Sequence, residues 1–215
     1  KSLTVYFAGT TSKLTATRRQ VNFGTSVRFK KTVRKLAPDE LFEHAVRYLA
    51  LQACSSDQLR LKLRPRAASE ADLESAVARL KDVGYLNDER FAEHYASNRV
   101  ENDGFGRMRV LQDLRARRVS GGLAEKAVEH AFEGKNEAEL IDAYIDRRMP
   151  AIAAGGKIED DRKLAAAYRR LRRAGFSSGG VLSALKRRAA NPELLEEPPP
   201  DEEPDPLAEP GDSAE

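Results

Sequence analysis

The chain has 215 residues, 33% charged and 40% hydrophobic, with a formal net charge of +3. No run approaches the roughly 20 consecutive apolar residues that span a bilayer, so no membrane-spanning helix is expected. With one cysteine, Cys54, and three histidines, an intrachain disulfide and the usual tetrahedral zinc sets are excluded, and nothing suggests an oxidising compartment.

The charge is unevenly spread. Positions 1–35 hold nine Lys or Arg and no acid, within a basic, poorly ordered arm assigned to residues 1–37. Three readings of the arm stay open: a nucleic-acid-touching extension, a transit-type segment, or a stretch upstream of the native start. No secretory signal is expected, because no apolar run of about 7–15 residues follows the early charges.

The folded part spans about Pro38 to Ala190. Pro38-Asp39-Glu40 opens a first helix, with Phe42, Ala45, Val46 and Leu49 on one face. Ser55 or Ser56 caps a second helix carrying Leu59 and Leu63. Ser69 caps a third, with Leu73, Val77 and Leu80, and Gly84 closes it. The same unit then returns. Phe91, Tyr95 and Ala96 mark its next first helix, Gly106 opens a helix with Val110, Leu111 and Leu114, and Ser120 caps one with Ala124, Ala127 and Val128. A third copy has Ile141, Tyr144 and Ile145, then Leu164, Tyr168 and Leu171, then Ser177 capping Val181, Leu182 and Leu185.

Subtraction checks the register. Leu63, Ser69 and Val77 map onto Leu114, Ser120 and Val128 with one shift of 51, and those onto Leu171, Ser177 and Leu185 with one shift of 57. The six extra residues fall in a loop at Pro150–Lys157. The reading is all-α: an elongated, curved array of three tandem three-helix repeats at 38–87, 88–135 and 136–190. Residues 191–215 follow as an acidic tail with ten Asp or Glu, no base and seven of the ten prolines, a composition that favours disorder.

Nothing in the sequence spells an enzyme or a cofactor site. Nucleotide-binding loops, nucleophile elbows and paired-His zinc motifs are missing. His44, His94 and His130 sit on different helices at non-matching repeat positions. Glu159-Asp160-Asp161 suits a helix N-terminus better than a metal, and Cys54 reads as a small hydrophobe.

Arginine stands out. The second helices carry Arg60, Lys62 and Arg64 (with Arg66), then Arg107, Arg109 and Arg115 (with Arg117 and Arg118), then Arg162, Arg169, Arg170 and Arg173 (with Lys163 and Arg172). At about 100° per residue, Arg162, Arg169 and Arg173 fall within about 40° of one another, opposite Leu164, Ala167, Tyr168 and Leu171. Stacked repeats would align these helices as a basic stripe for phosphates or an acidic partner.

Gly84-Tyr85-Leu86-Asn87-Asp88-Glu89-Arg90-Phe91-Ala92 resembles the hallmark segment of the RecX family. Gly106-Arg107-Met108-Arg109-Val110-Leu111-Gln112-Asp113-Leu114-Arg115, Ser55 to Leu63 and Leu171 to Ser177 resemble three further family segments in the right order. Arg66-Ala67 and Arg117-Arg118 depart from the family's Lys-Gly, and Arg118 in place of glycine resists a left-handed turn. Asp113 replaces the common Glu.

The resemblance implies three repeats forming a crescent in a cytoplasmic, monomeric regulator. Such a protein lies in the groove of the RecA–DNA filament, with weak phosphate contacts to DNA, and lowers ATPase and strand exchange. The candidate contact residues are then Arg60, Lys62, Arg64, Arg107, Arg109, Arg115, Arg162, Arg169, Arg170 and Arg173, while Tyr85 and Phe91 are expected to hold a repeat junction. The competing readings are a stand-alone DNA-binding helical protein and a helical-repeat adaptor for another acidic partner.

Overall fold

The structure is a computed structural model that describes residues 34–154, 157–190 and 192–195. Most of the arm and tail, including their expected disorder, lie outside the described residues. Ten α-helices occur among the described residues. The first three are α1 (Pro38–Leu51), α2 (Ser56–Leu63) and α3 (Glu70–Asp82). Then come α4 (Asp88–Asn98), which runs on into a π-helical segment (Arg99–Asp103), α5 (Arg107–Ala116) and α6 (Gly121–Ala131). The last set is α7 (Glu137–Arg148), the single turn α8 (Pro150–Ala153), α9 (Asp161–Arg173) and α10 (Ser178–Arg188), followed by a 3₁₀ turn (Pro192–Leu195). Extended pairing among the described residues is limited to two isolated bridges, Leu36 with Ala67 and Ile158 with Ala189.

Local chemistry sets most helix starts. Ser55 and Gln58 form a reciprocal capping box on α2, with Gln58 N donating to Ser55 Oγ (3.2 Å) and Ser55 N to Gln58 Oε1 (3.3 Å). Side-chain oxygens of Ser69, Asn87, Asn136, Asp160 and Ser177 likewise accept from the first turns of α3, α4, α7, α9 and α10. Ser120 differs: it occupies the N-cap of α6, but its hydroxyl bonds nothing in the first turn. Part of the expected loop at 150–157 is helical, because Pro150 at the first position of α8 needs no donor.

Three cores result. Leu41, Leu59, Leu63, Leu73, Val77 and Leu80 close the first. Ala92, Ala96, Val110, Leu114, Ala124 and Val128 close the second. The third is built on Ile141, Ile145, Leu164, Tyr168, Leu171, Phe176, Val181 and Leu185. Every leucine and valine matched by the shifts of 51 and 57 is at most 2% exposed, so the repeat period is the period of the core.

The seams between cores differ in chemistry. Phe105 and Leu140 pack against both the second and third cores. The first seam is polar: Ser55 Oγ donates to Arg117 O (2.6 Å) and Ser56 N to Asp88 Oδ1 (2.6 Å). Tyr85 does not hold that seam; it is 54% exposed, while Leu86 beside it is buried. Phe91 is half-buried, its ring 6.0 Å from that of Tyr95.

Candidate partner and nucleic-acid interface

The second helices of the three units run end to end. At the C-terminus of α9, Ala174 O and Gly175 O accept from Gly106 N (2.7 Å) and Met108 N (3.1 Å) at the start of α5. At the end of α5, Arg117 O accepts from Ser55 Oγ at the start of α2. The α9–α5 junction sets a carbonyl-rich helix end against a donor-rich helix start, so orphan groups of both ends are satisfied and opposite dipole ends meet, while at the α5–α2 junction a side-chain hydroxyl satisfies one orphan carbonyl. The α9–α5 junction needs glycine twice. A Cβ on Gly106 would lie 2.4 Å from Gly175 C, and one on Gly175 would lie 2.3 Å from Arg109 N.

Along this line the arginines fall into two groups. Arg60, Arg64, Arg109 and Arg115 are paired with carboxylates. Arg60 reaches Asp57 (2.7 Å) and Glu74 (2.8 Å), Arg64 reaches Glu70 (2.7 Å), Arg115 reaches Glu125 (3.2 Å) and Arg109 reaches Asp113 (3.0 Å). The bond from Arg60 holds the Glu74 carboxyl below its ordinary range. Lys62, Arg107, Arg162, Arg169, Arg170 and Arg173 have no carboxylate partner among the described residues. Arg107 instead lies over the Phe132 ring, 5.1 Å from its centroid.

Phe105, Arg109, Tyr144, Ala166, Arg170, Arg173 and Ala174 line an open cleft where α5 meets α9. The structure thus gathers three of the candidate residues, Arg109, Arg170 and Arg173, around two aromatic side chains. Arg162 and Arg169 share α9 with them but do not line the cleft.

Behind Arg109 stands a network that sequence reasoning missed. In the π-helical segment, Arg99 pairs with Asp103 (2.6 Å), donates to Tyr95 Oη (2.8 Å) and lies 3.6 Å from Asp113. Burial works against the Arg99 charge, but the Asp103 and Tyr95 bonds prevail and its pKa lies above the ordinary value. Asp103 also meets Arg148 (3.7 Å), and Arg147 donates to Asn102 O (2.6 Å), tying the segment to α7. The four-residue steps Tyr95, Arg99 and Asp103 were a visible signal of a one-sided polar row. Its closure on Asp113 was not visible.

No cluster of His, Cys, Asp or Glu among the described residues could hold a metal ion, and none of their helices is long and apolar enough to cross a membrane. Cys54 is buried, and burial, reinforced by Asp88, pushes its thiol pKa up to about 11.

An end-to-end string of three-helix units, each with its own core, defines an all-helical repeat protein. Residues 87–128 match the family described as RecX, second three-helix domain. A protein named Regulatory protein RecX from Deinococcus radiodurans is 31% identical over 166 residues, 76% of this chain and 72% of the relative. Its namesake from Treponema pallidum is 30% identical over 151 residues, 70% and 78% of the respective chains. The crystal structure of RecX from Lactobacillus salivarius shares the fold, with a TM-score of 0.58 at 18% identity over 70% of this chain and 95% of that one. This chain belongs to the RecX family of regulatory proteins.

Proposed function

We propose that this chain binds the RecA recombinase assembled on DNA and lowers its ATPase and strand-exchange activity by occupancy rather than chemistry. The observation that carries the reading is the membership of the RecX family, whose resemblance implies that partner. The end-to-end second helices support it. Several weak cationic contacts spread along α2, α5 and α9 suit a partner that repeats along its length, because contacts to neighbouring subunits reinforce one another. Within the candidate set, Arg170 and Arg173 are the principal contacts, with Lys62, Arg107, Arg162 and Arg169 beside them. Arg60, Arg64 and Arg115 contribute less, since their charges are already met by Glu74, Glu70 and Glu125. The protein acts as a monomer in the cytoplasm in this reading.

The test is the ATPase rate of RecA on single-stranded DNA, titrated with the full chain at fixed salt. A fall at sub-stoichiometric protein supports the proposal. An unchanged rate at every ratio, with helical circular dichroism intact, would overturn it.

A further inference from the structure

Arg118 is the one non-glycine residue with a positive φ among the described residues, at +59°. The hydrogen bonds around it say why the backbone turns there. Arg118 N donates to Arg115 O (2.9 Å) and Val119 N to Leu114 O (3.1 Å), the paired bonds of a Schellman helix end. A shift of 57 carries all four positions onto the third unit. There Gly175 N donates to Arg172 O (2.9 Å) and Phe176 N to Leu171 O (3.4 Å), with Gly175 at a φ of +92°. The two helix ends are the same motif. The third unit fills the left-handed position with the residue that fits it, and the second fills it with an arginine, whose Cβ is crowded by that backbone.

Nothing among the described residues accounts for the arginine. Its side chain is exposed and makes no hydrogen bond or ion pair among the described residues. A strained residue persists where its surroundings enforce it, and such residues gather at functional positions. Here the enforcement is visible: Val119 is buried against Leu114, and Arg117 O is held by Ser55.

We infer that Arg118 is a contact residue for nucleic-acid phosphate, placed at the seam of the first and second units. The chain segment that carries it favours phosphate over an acidic protein. Protein interfaces are anchored by apolar and aromatic side chains, yet the exposed large hydrophobics, Leu51, Leu61, Val83, Tyr85 and Met108, all lie outside residues 109–122. That stretch instead exposes Arg118 with Gln112, Ser120 and two glycines, beside Arg109 and Arg115, whose charges are met by Asp113 and Glu125. The inference deepens the filament reading by assigning part of the grip to DNA itself, and its test needs no recombinase.

The test compares the full chain with Arg118→Gly and Arg118→Lys, by thermal unfolding and by anisotropy of a fluorescein-labelled oligothymidylate across a salt series. Arg118→Gly should raise the melting temperature by about 2–4 °C. It should also weaken binding several-fold and reduce the log–log salt slope by about 0.7, one single-strand phosphate. Arg118→Lys should keep the slope and the wild-type melting temperature. A glycine variant that is no more stable than wild type would overturn the strain argument. A stabilised variant with an unchanged slope would overturn the phosphate assignment, as would a wild-type chain that does not bind the oligonucleotide. None of these failures touches the ATPase test.

Discussion

The α9–α5 junction makes a demand that one methyl group can probe. Gly106 has ordinary extended dihedrals, φ −77° and ψ 165°, so alanine there carries no conformational penalty. All of its cost is steric. The new Cβ would sit 2.4 Å from Gly175 C, 2.5 Å from Gly175 O and 2.6 Å from Phe176 N, and every one of these is backbone. Ordinary contact needs about 1 Å more, so the start of α5 must withdraw from the end of α9. Withdrawal weakens Gly106 N to Ala174 O (2.7 Å) and Met108 N to Gly175 O (3.1 Å). Two such bonds are worth about 1 kcal/mol each, and the overpacking about 1–3 kcal/mol, giving about 3–5 kcal/mol for Gly106→Ala. At about 2–4 °C per kcal/mol, the melting temperature falls by roughly 6–20 °C. Urea and thermal unfolding followed by circular dichroism measure the free-energy loss and the temperature shift, respectively. The control is Gly122→Ala in the first turn of α6, where an added Cβ meets nothing within 4 Å and helix propensity predicts a gain of up to about 1 kcal/mol. A Gly106→Ala variant within about 0.5 kcal/mol of wild type would refute a close-packed seam between the second and third units.

Other outcomes follow from named contacts. Glu137 accepts from both Ser177 N (2.7 Å) and Ser177 Oγ (2.6 Å), joining the starts of α7 and α10; Glu137→Ala should cost about 1–3 kcal/mol in the same unfolding assay. The Cys54 thiol is raised in the folded state, so its contribution to stability is complete below the ordinary thiol range and is lost as pH rises toward about 11. Denaturation midpoints should therefore drop on the alkaline side, less so for Cys54→Ala, and Ellman's reagent should react slowly at neutral pH until the protein is unfolded. Replacing Arg170 and Arg173 together by Ala should weaken filament binding by about tenfold or more, whereas Arg60→Ala with Arg64→Ala should change it by less than about threefold, because those guanidiniums are already engaged. Equal losses in the two double variants, measured by co-sedimentation, would count against dividing the arginines in this way.

What could be read from the sequence was what recurs within one helix. Apolar spacing located the helices, and the shifts of 51 and 57 placed Leu63, Leu114 and Leu171 in equivalent buried positions. Contacts between helices were a different matter. The carboxylates that neutralise Arg60, Arg64 and Arg115 are Glu74, Glu70 and Glu125, each on the third helix of its unit and 6 to 14 residues away. A helical wheel drawn on one helix has no place for them. Gly106 was legible as a helix start, but its reason lies 69 positions away at Gly175, where two backbones touch. Arg118 was expected to resist the left-handed turn. It takes the turn, because the packing of Val119 and the Schellman bonds outweigh about 1–2 kcal/mol of local strain. Tyr85 belongs to the family's hallmark segment and was assigned to a junction, yet the chain buries Leu86 instead.

Filament binding is tested most directly by equilibrium titration of the full chain against RecA assembled on single-stranded DNA with a non-hydrolysable ATP analogue. Binding should be saturable, weaken steeply with salt and be reduced by loss of Arg170 and Arg173. Binding no tighter to the assembled filament than to the naked DNA would contradict the proposed function.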